Sequence, residues 1–160
     1  MYIPGVTITL QTELRQSRPF ARRTSEALVS ILRTAALVDG AQSEALKAHG
    51  ITPTQYNVLR ILQGAGRTGL CGREIAERLV SKVPDVSRLL DRMVEMELVS
   101  RERDSVDRRH VTARISARGK RVLAQATPDL ETVERRMFEG MPATAVSGLI
   151  AGLARVRQAL

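Results

Sequence analysis

Aromatic side chains are nearly missing from this chain: two Tyr, two Phe and no Trp, 2% of its residues. Proteins that read single strands or RNA loops stack bases on aromatic rings. Tyr2, Phe20, Tyr56 and Phe138 are too few to build such a platform, which disfavours an RRM-like or OB-like fold. Cysteine is almost as scarce. Cys71 stands alone, so no intramolecular disulfide can form, and a cytoplasmic protein is expected. No apolar run reaches the roughly 18 residues that a membrane span needs. The start, from Met1 to Gln16, lacks the basic region and long apolar stretch of a secretory signal. Histidine occurs twice, at His49 and His110, in unlike settings. There is no H-E-x-x-H, no P-loop and no His/Cys set with metal-ligand spacing. No convergent catalytic constellation can be assembled, so the expectation is a protein that is not an enzyme and carries no cofactor.

What the chain does have is positive charge. Its 25 Lys and Arg against 17 Asp and Glu leave a net charge of +8 and a pI near 10.9. A basic balance points to a polyanionic partner, most often nucleic acid. The distribution sharpens this. From Arg67 to Arg121 there are 14 basic and 9 acidic residues, so a third of the chain carries most of the excess. At 160 residues with 43% hydrophobic content, the chain suits one domain with a real core, or one domain plus an assembly element.

Taken in order, residues 1–16 read as an arm, in which Val6, Thr7, Ile8, Thr9 and Leu10 favour extended backbone without a hairpin partner nearby. Ser17-Arg18-Pro19 predicts a helix start. A long helix over Phe20–Ala48 follows, with Gly40 inside it as a weak point and Gly50 as its stop. Thr52 as N-cap and Pro53 in the first turn restart a helix that runs to Gly64. Gly64-Ala65-Gly66-Arg67-Thr68-Gly69 matches G-x-G-x-x-G, with Asp85 about 20 residues on, as in a dinucleotide fingerprint. That fingerprint needs a strand before its glycines. A helical pattern precedes them here, so the glycines read as a helix end and a loop.

Next come two short amphipathic helices. Gly72–Leu79 has Ile75, Ala76 and Leu79 inward, and a second helix opened by Pro84 has Val86, Leu89, Leu90, Met93 and Val94 inward. A break at Val80–Val83 separates them. Leu98-Val99 begins a strand, Asp104-Ser105-Val106-Asp107 makes a polar tip, and Val111, Ala113 and Ile115 alternate with Thr112, Arg114 and Ser116 as a half-buried strand. Ser116 caps another helix, in which Pro128 marks a fresh start or a kink. Gly140-Met141-Pro142 is a break, and Val146, Leu149, Ile150, Leu153, Val156 and Leu160 form a last stripe.

The fold class expected is mainly α with a small β-wing: a winged helix-turn-helix domain at 51–116, an N-terminal arm and dimerisation helix at 1–50, and C-terminal dimerisation helices at 117–160. The central motif cannot bury the apolar stripes at the two chain ends, so a homodimer is the economical inference.

A helix laid in the major groove presents its outward N-terminal residues to bases and phosphates. Here these are Ser81, Lys82, Pro84, Asp85, Ser87, Arg88 and Arg92. Lys82, Arg88 and Arg92 can bind phosphate or guanine edges, and Ser87 a phosphate or a base. Asp85 can accept from cytosine or cap the helix. Surface pairing of Arg88 with Asp91, and of Arg92 with Glu95, is the competing use of the two arginines, and at ~0.3–0.5 kcal/mol per pair it does not exclude DNA contact. The wing holds Arg101, Arg103, Arg108, Arg109 and His110 around Asp104 and Asp107, and arginine gains from the negative potential of a narrow minor groove.

With these residues laid out, the chain resembles the MarR family of bacterial transcriptional regulators over nearly its whole length. The resemblance rests on Thr52-Pro53-Thr54-Gln55-Tyr56-Asn57-Val58-Leu59, Ala76-Glu77-Arg78-Leu79, Arg88-Leu89-Leu90-Asp91-Arg92-Met93 and Leu98-Val99. It continues through Arg103-Asp104-Ser105-Val106-Asp107-Arg108-Arg109 and Ser116-Ala117-Arg118-Gly119. It implies a homodimer joined by helices from both chain ends. It also implies a regulator, usually a repressor, that binds a palindromic operator in double-stranded DNA and is released by a small-molecule effector. In that pattern Asp107 orients Arg109 for the minor groove. Lys82-Val83-Pro84 departs from the Val-Ser-Arg that often precedes the reading-helix proline, and Cys71 is not where the peroxide-sensing branch keeps its cysteine. The alternative is a winged-helix protein-interaction scaffold without specific DNA binding.

Overall fold

Thr52 shows how local sequence sets this fold. Its hydroxyl accepts the Gln55 N–H at 3.2 Å while the Gln55 side-chain oxygen accepts the Thr52 N–H at 2.9 Å, a reciprocal cap. With Pro53 in the first turn this starts helix α3, Pro53–Ala65. The computed structural model describes residues 9–103 and 111–160, and for Arg103 the backbone only.

The chain divides into two units, Met1–Ala41 and Gln42–Leu160. In the first, Thr9 caps a single helical turn, α1 (Leu10–Glu13), and Glu13 meets Arg33 at 2.7 Å. The expected arm is thus helical over Leu10–Glu13, while its residues 1–8 lie outside the described residues. Helix α2, Arg23–Lys47, starts four residues after Pro19, later than the Ser17-Arg18-Pro19 signal predicts. It runs unbroken through Gly40 into the second unit. Leu28, Leu32 and Leu37 are exposed along it.

In the second unit Gly50, at φ 67°, turns the chain out of α2. After α3, Gly66 and Gly69 take positive φ, and a two-residue strand, β1 (Leu70–Cys71), follows. The G-x-G-x-x-G run is therefore a helix end and a turn, with α3 rather than a strand before it. Strand β1, absent from the expected order, is pressed close to its neighbour: a Cβ on Gly69 would lie 2.5 Å from the Ala113 carbonyl oxygen. Helix α4 is Gly72–Arg78 and helix α5 is Val86–Glu95. Strands β2 (Val99–Arg103) and β3 (Val111–Ile115) complete an antiparallel sheet of order β1-β3-β2, with Val99 opposite Ile115, Arg101 opposite Ala113 and Arg103 opposite Val111.

Helix α5 ends where Leu98 N–H reaches the Met93 carbonyl at 2.9 Å and Glu97 N–H the Val94 carbonyl at 2.8 Å. This pair of hydrogen bonds closes the helix with Glu97 at φ 58°, a place glycine usually takes. Glu97 is held there from outside. Its carbonyl accepts the Ser116 hydroxyl at 2.5 Å, and its carboxylate meets Arg118 at 3.1 Å. Ser116 also caps helix α6, Ala117–Met137, through the Gly119 N–H at 2.9 Å. Pro128 lies inside α6, so one helix passes through it. Gly140 at φ 76° separates α6 from helix α7, Ala143–Gln158.

The core of this unit gathers Leu46, Ile51, Val58, Leu59, Leu62, Ile75, Leu90, Met93, Leu98, Val99, Ala113, Leu123 and Ala126, all buried. It lies where α3, α4, α5 and the inner face of the sheet meet. Ala76 and Val94, expected inward, are exposed, whereas Ile75, Leu90 and Met93 on the same helices are buried. The described architecture is mainly α with a three-stranded wing sheet, as the sequence leads one to expect.

Candidate nucleic-acid interface

Helix α5, the expected reading helix, begins later than Pro84 suggests. Pro84 lies two residues outside it. Asp85 is its N-cap, and Asp85 Oδ1 accepts the Arg88 N–H at 3.0 Å. The other oxygen, Oδ2, meets Arg88 Nε at 3.2 Å. Of the two uses open to Asp85, the structure shows the cap. The competing surface pair of Arg88 with Asp91 does not form: Arg88 pairs with Asp85, and Asp91 pairs with Arg101 on β2.

Helix α5 then splits cleanly. Leu90 and Met93 are buried and Val86 and Leu89 half-buried, while Ser87, Arg88, Asp91, Arg92 and Glu95 face outward. Ser81, Lys82, Pro84 and Asp85, in the break before the helix, are exposed as well. Seven of the site residues expected from sequence are thus exposed, on α5 or in the break before it. The Arg88 side chain is 83% exposed even while bonded to Asp85, so its guanidinium retains free donors. Among the described residues Arg92 makes no ion pair, with Glu95 or any other carboxylate.

The break itself is pinned from behind. Asn57, halfway along α3, accepts the Val80 N–H on its side-chain oxygen at 2.9 Å. Sequence reasoning missed Asn57. Its one signal is a short polar residue set among the apolar positions of α3. At the start of α4 the Glu74 carboxylate accepts the Cys71 N–H at 2.8 Å, which holds its acid below the usual carboxylate range. Cys71 is half-buried there, between strand and helix.

The wing is described at its base. Arg103 pairs with Val111 through the backbone. Asp107, Arg108 and Arg109, with the tip from Asp104 to His110, lie outside the described residues. On the inner face of the base, Arg101 reaches Asp91. On the outer face, Arg114 bonds Glu102 across the strands and donates from Nε to the Arg67 carbonyl at 2.9 Å. Beside that pair is an open hollow of about 430 Å³, lined by Gln63, Gly66, Arg67, Glu102, Arg114, Ile115 and Lys120. Among the described residues no cluster of His, Cys, Asp or Glu could hold a metal ion, and no helix is long and apolar enough to cross a membrane.

An exposed, capped helix behind a pinned turn, with an arginine-bearing sheet at its side, has the form of a DNA-reading winged helix. Comparison with known proteins agrees. A family model described as MarR family matches residues 49–110. The chain is 29% identical over 110 residues to the uncharacterized HTH-type transcriptional regulator YsmB of Bacillus subtilis (strain 168), spanning 69% of this chain and 74% of that protein. It is 32% identical over 88 residues to the transcriptional regulator HosA of Escherichia coli O127:H6, covering 55% of this chain and 64% of HosA. Among solved structures it is similar to the transcriptional repressor CouR bound to a 23-mer DNA duplex, with a TM-score of 0.73 and 27% identity over 88% of this chain and 99% of that one.

Proposed function

We propose, on the premise that the chain is a MarR-family DNA-binding transcriptional regulator, that it represses its targets as a homodimer on a palindromic operator and is released by a small-molecule effector. The observation that carries this reading is α5, whose capped start exposes Ser87 and Arg88 and whose last turn exposes Arg92, with Ser81 and Lys82 exposed in the break before it. An N-terminus of this kind favours phosphate, and its arginines suit guanine edges. Arg103, Arg108 and Arg109 extend the contact along the wing, with Asp107 orienting Arg109. The likeness to CouR in complex with duplex DNA supports the same partner.

Dimerisation rests on apolar side chains left uncovered at both ends of the chain: Leu28, Leu32 and Leu37 on α2, and Leu149, Ile150 and Val156 on α7. Exposed apolar stripes of this length mark interaction surfaces. A two-fold pair of reading helices then implies half-sites about one helical turn apart. On this reading 1–50 and 117–160 serve assembly, 51–116 meets DNA, and the protein acts in the cytoplasm.

Duplexes selected from a random pool by the purified protein test the reading, titrated at several salt concentrations. Preference for the selected duplex over its scramble is expected. Arg109→Ala is expected to lower affinity and the salt slope by about 0.9. No duplex binding at low salt would leave the winged-helix scaffold as the reading.

A further inference from the structure

Asp91 and Arg101 join two elements that would touch DNA in different grooves. Asp91 projects from the outward side of α5 and is 57% exposed, while Arg101 springs from the inner face of β2 and is only 26% exposed. Arg101 therefore folds back toward the helix rather than outward. It sits two residues before Arg103, at the base of the wing, and pairs across the sheet with Ala113, which is buried. On the other face of the same strand, Glu102 bonds Arg114, and Arg114 is anchored on the Arg67 carbonyl. Strand β2 is thus gripped on both faces, by the helix on one side and by the rest of the sheet on the other. This matters because β2 is an edge strand among the described residues, with β3 as its sheet neighbour.

We infer that Asp91 is a positioning residue for sequence discrimination. Through Arg101 it fixes the angle between α5 and the wing, so that base contacts and wing contacts are made together on the right sequence. The inference rests on the DNA-binding reading above. It also makes a prediction of unusual sign. Asp91 is an acid on a surface that meets phosphates, so its removal should tighten binding to every duplex by simple electrostatics. A positioning role demands the opposite for the selected duplex alone.

The experiment compares wild type, Asp91→Asn, Arg101→Gln, the double variant and Arg101→Lys, each titrated with the selected duplex and its scramble. Thermal melts check that each is folded. Asp91→Asn should bind the scramble as well as or better than wild type, yet lose about tenfold in preference for the selected duplex. The double variant should be no worse than the poorer single, because one interaction is lost in all three. Arg101→Lys, keeping the charge without the planar fork, should recover part of the preference. If Asp91→Asn tightens both duplexes equally, the positioning role is overturned. If Asp91→Asn does not fold, Arg101→Gln against Arg101→Lys decides: equal preference in both overturns it. Wild type showing no preference for any duplex would instead overturn the DNA-binding reading, which is a separate outcome.

Discussion

The side-chain oxygen of Asn57 accepts the backbone N–H of Val80 at 2.9 Å, tying the middle of α3 to the break between α4 and α5. The break carries Ser81 and Lys82, so α3 sets where the proposed reading surface begins. Val80 itself is 87% exposed and has little packing to hold it, which leaves this bond as a principal restraint on the turn.

Asn57→Ala is therefore expected to cost about 0.5–1.5 kcal/mol in unfolding free energy, the usual net worth of such a bond. It should also weaken DNA binding, since the turn becomes free to move. Asn57→Asp, which keeps the acceptor oxygen, should retain most of the stability. Urea unfolding and duplex titration of the two variants provide the comparison, and equal behaviour of Ala and Asp would dismiss the bond as a restraint.

Gly119 supports a sharper prediction. A Cβ there would lie 2.1 Å from the Leu98 carbonyl oxygen, and the obstacle is backbone rather than a flexible side chain. The same carbonyl accepts the Ser116 N–H at 3.1 Å, so α6 cannot back away without giving up its junction with β2. Gly119→Ala should destabilise the fold by about 3 kcal/mol or more, although alanine is ordinarily the better helix former. A thermal midpoint equal to wild type would refute the close approach.

Acid should loosen the start of α4. The Cys71 N–H holds the Glu74 carboxyl below its ordinary value, chiefly through that backbone bond. A depressed carboxyl contributes stability above its unfolded pKa of about 4.3 and loses it as pH falls through the lower folded value. Glu74→Gln keeps an acceptor but does not titrate. The stability advantage of wild type over Glu74→Gln should hold at neutral pH and shrink below about pH 4. Denaturant midpoints at the two pH values measure it, and a constant difference would mean the carboxylate charge plays no part.

Local sequence determined a good deal of this protein by itself. The Thr52-Pro53 start, the Gly50 turn and the Ser116 cap are legible because each acts within about one helical turn. The same holds for the exposure of Ser87, Arg88 and Arg92, which follows from the apolar face opposite them. Partners distant in sequence were decided by the tertiary structure alone. Spacing along α5 allows Asp91 to meet Arg88. The fold brings β2 alongside, gives Asp91 to Arg101, and leaves Arg88 to the capping Asp85. Strand β1 has the same origin: Leu70 and Cys71 are extended because Ala113 and Thr112 offer them a ladder, not because two residues can declare a strand. Ala76 and Val94 are exposed although they lie next to the buried Ile75 and Met93 in sequence. Period and caps are properties of a segment, whereas pairing and burial belong to whatever the fold sets beside it.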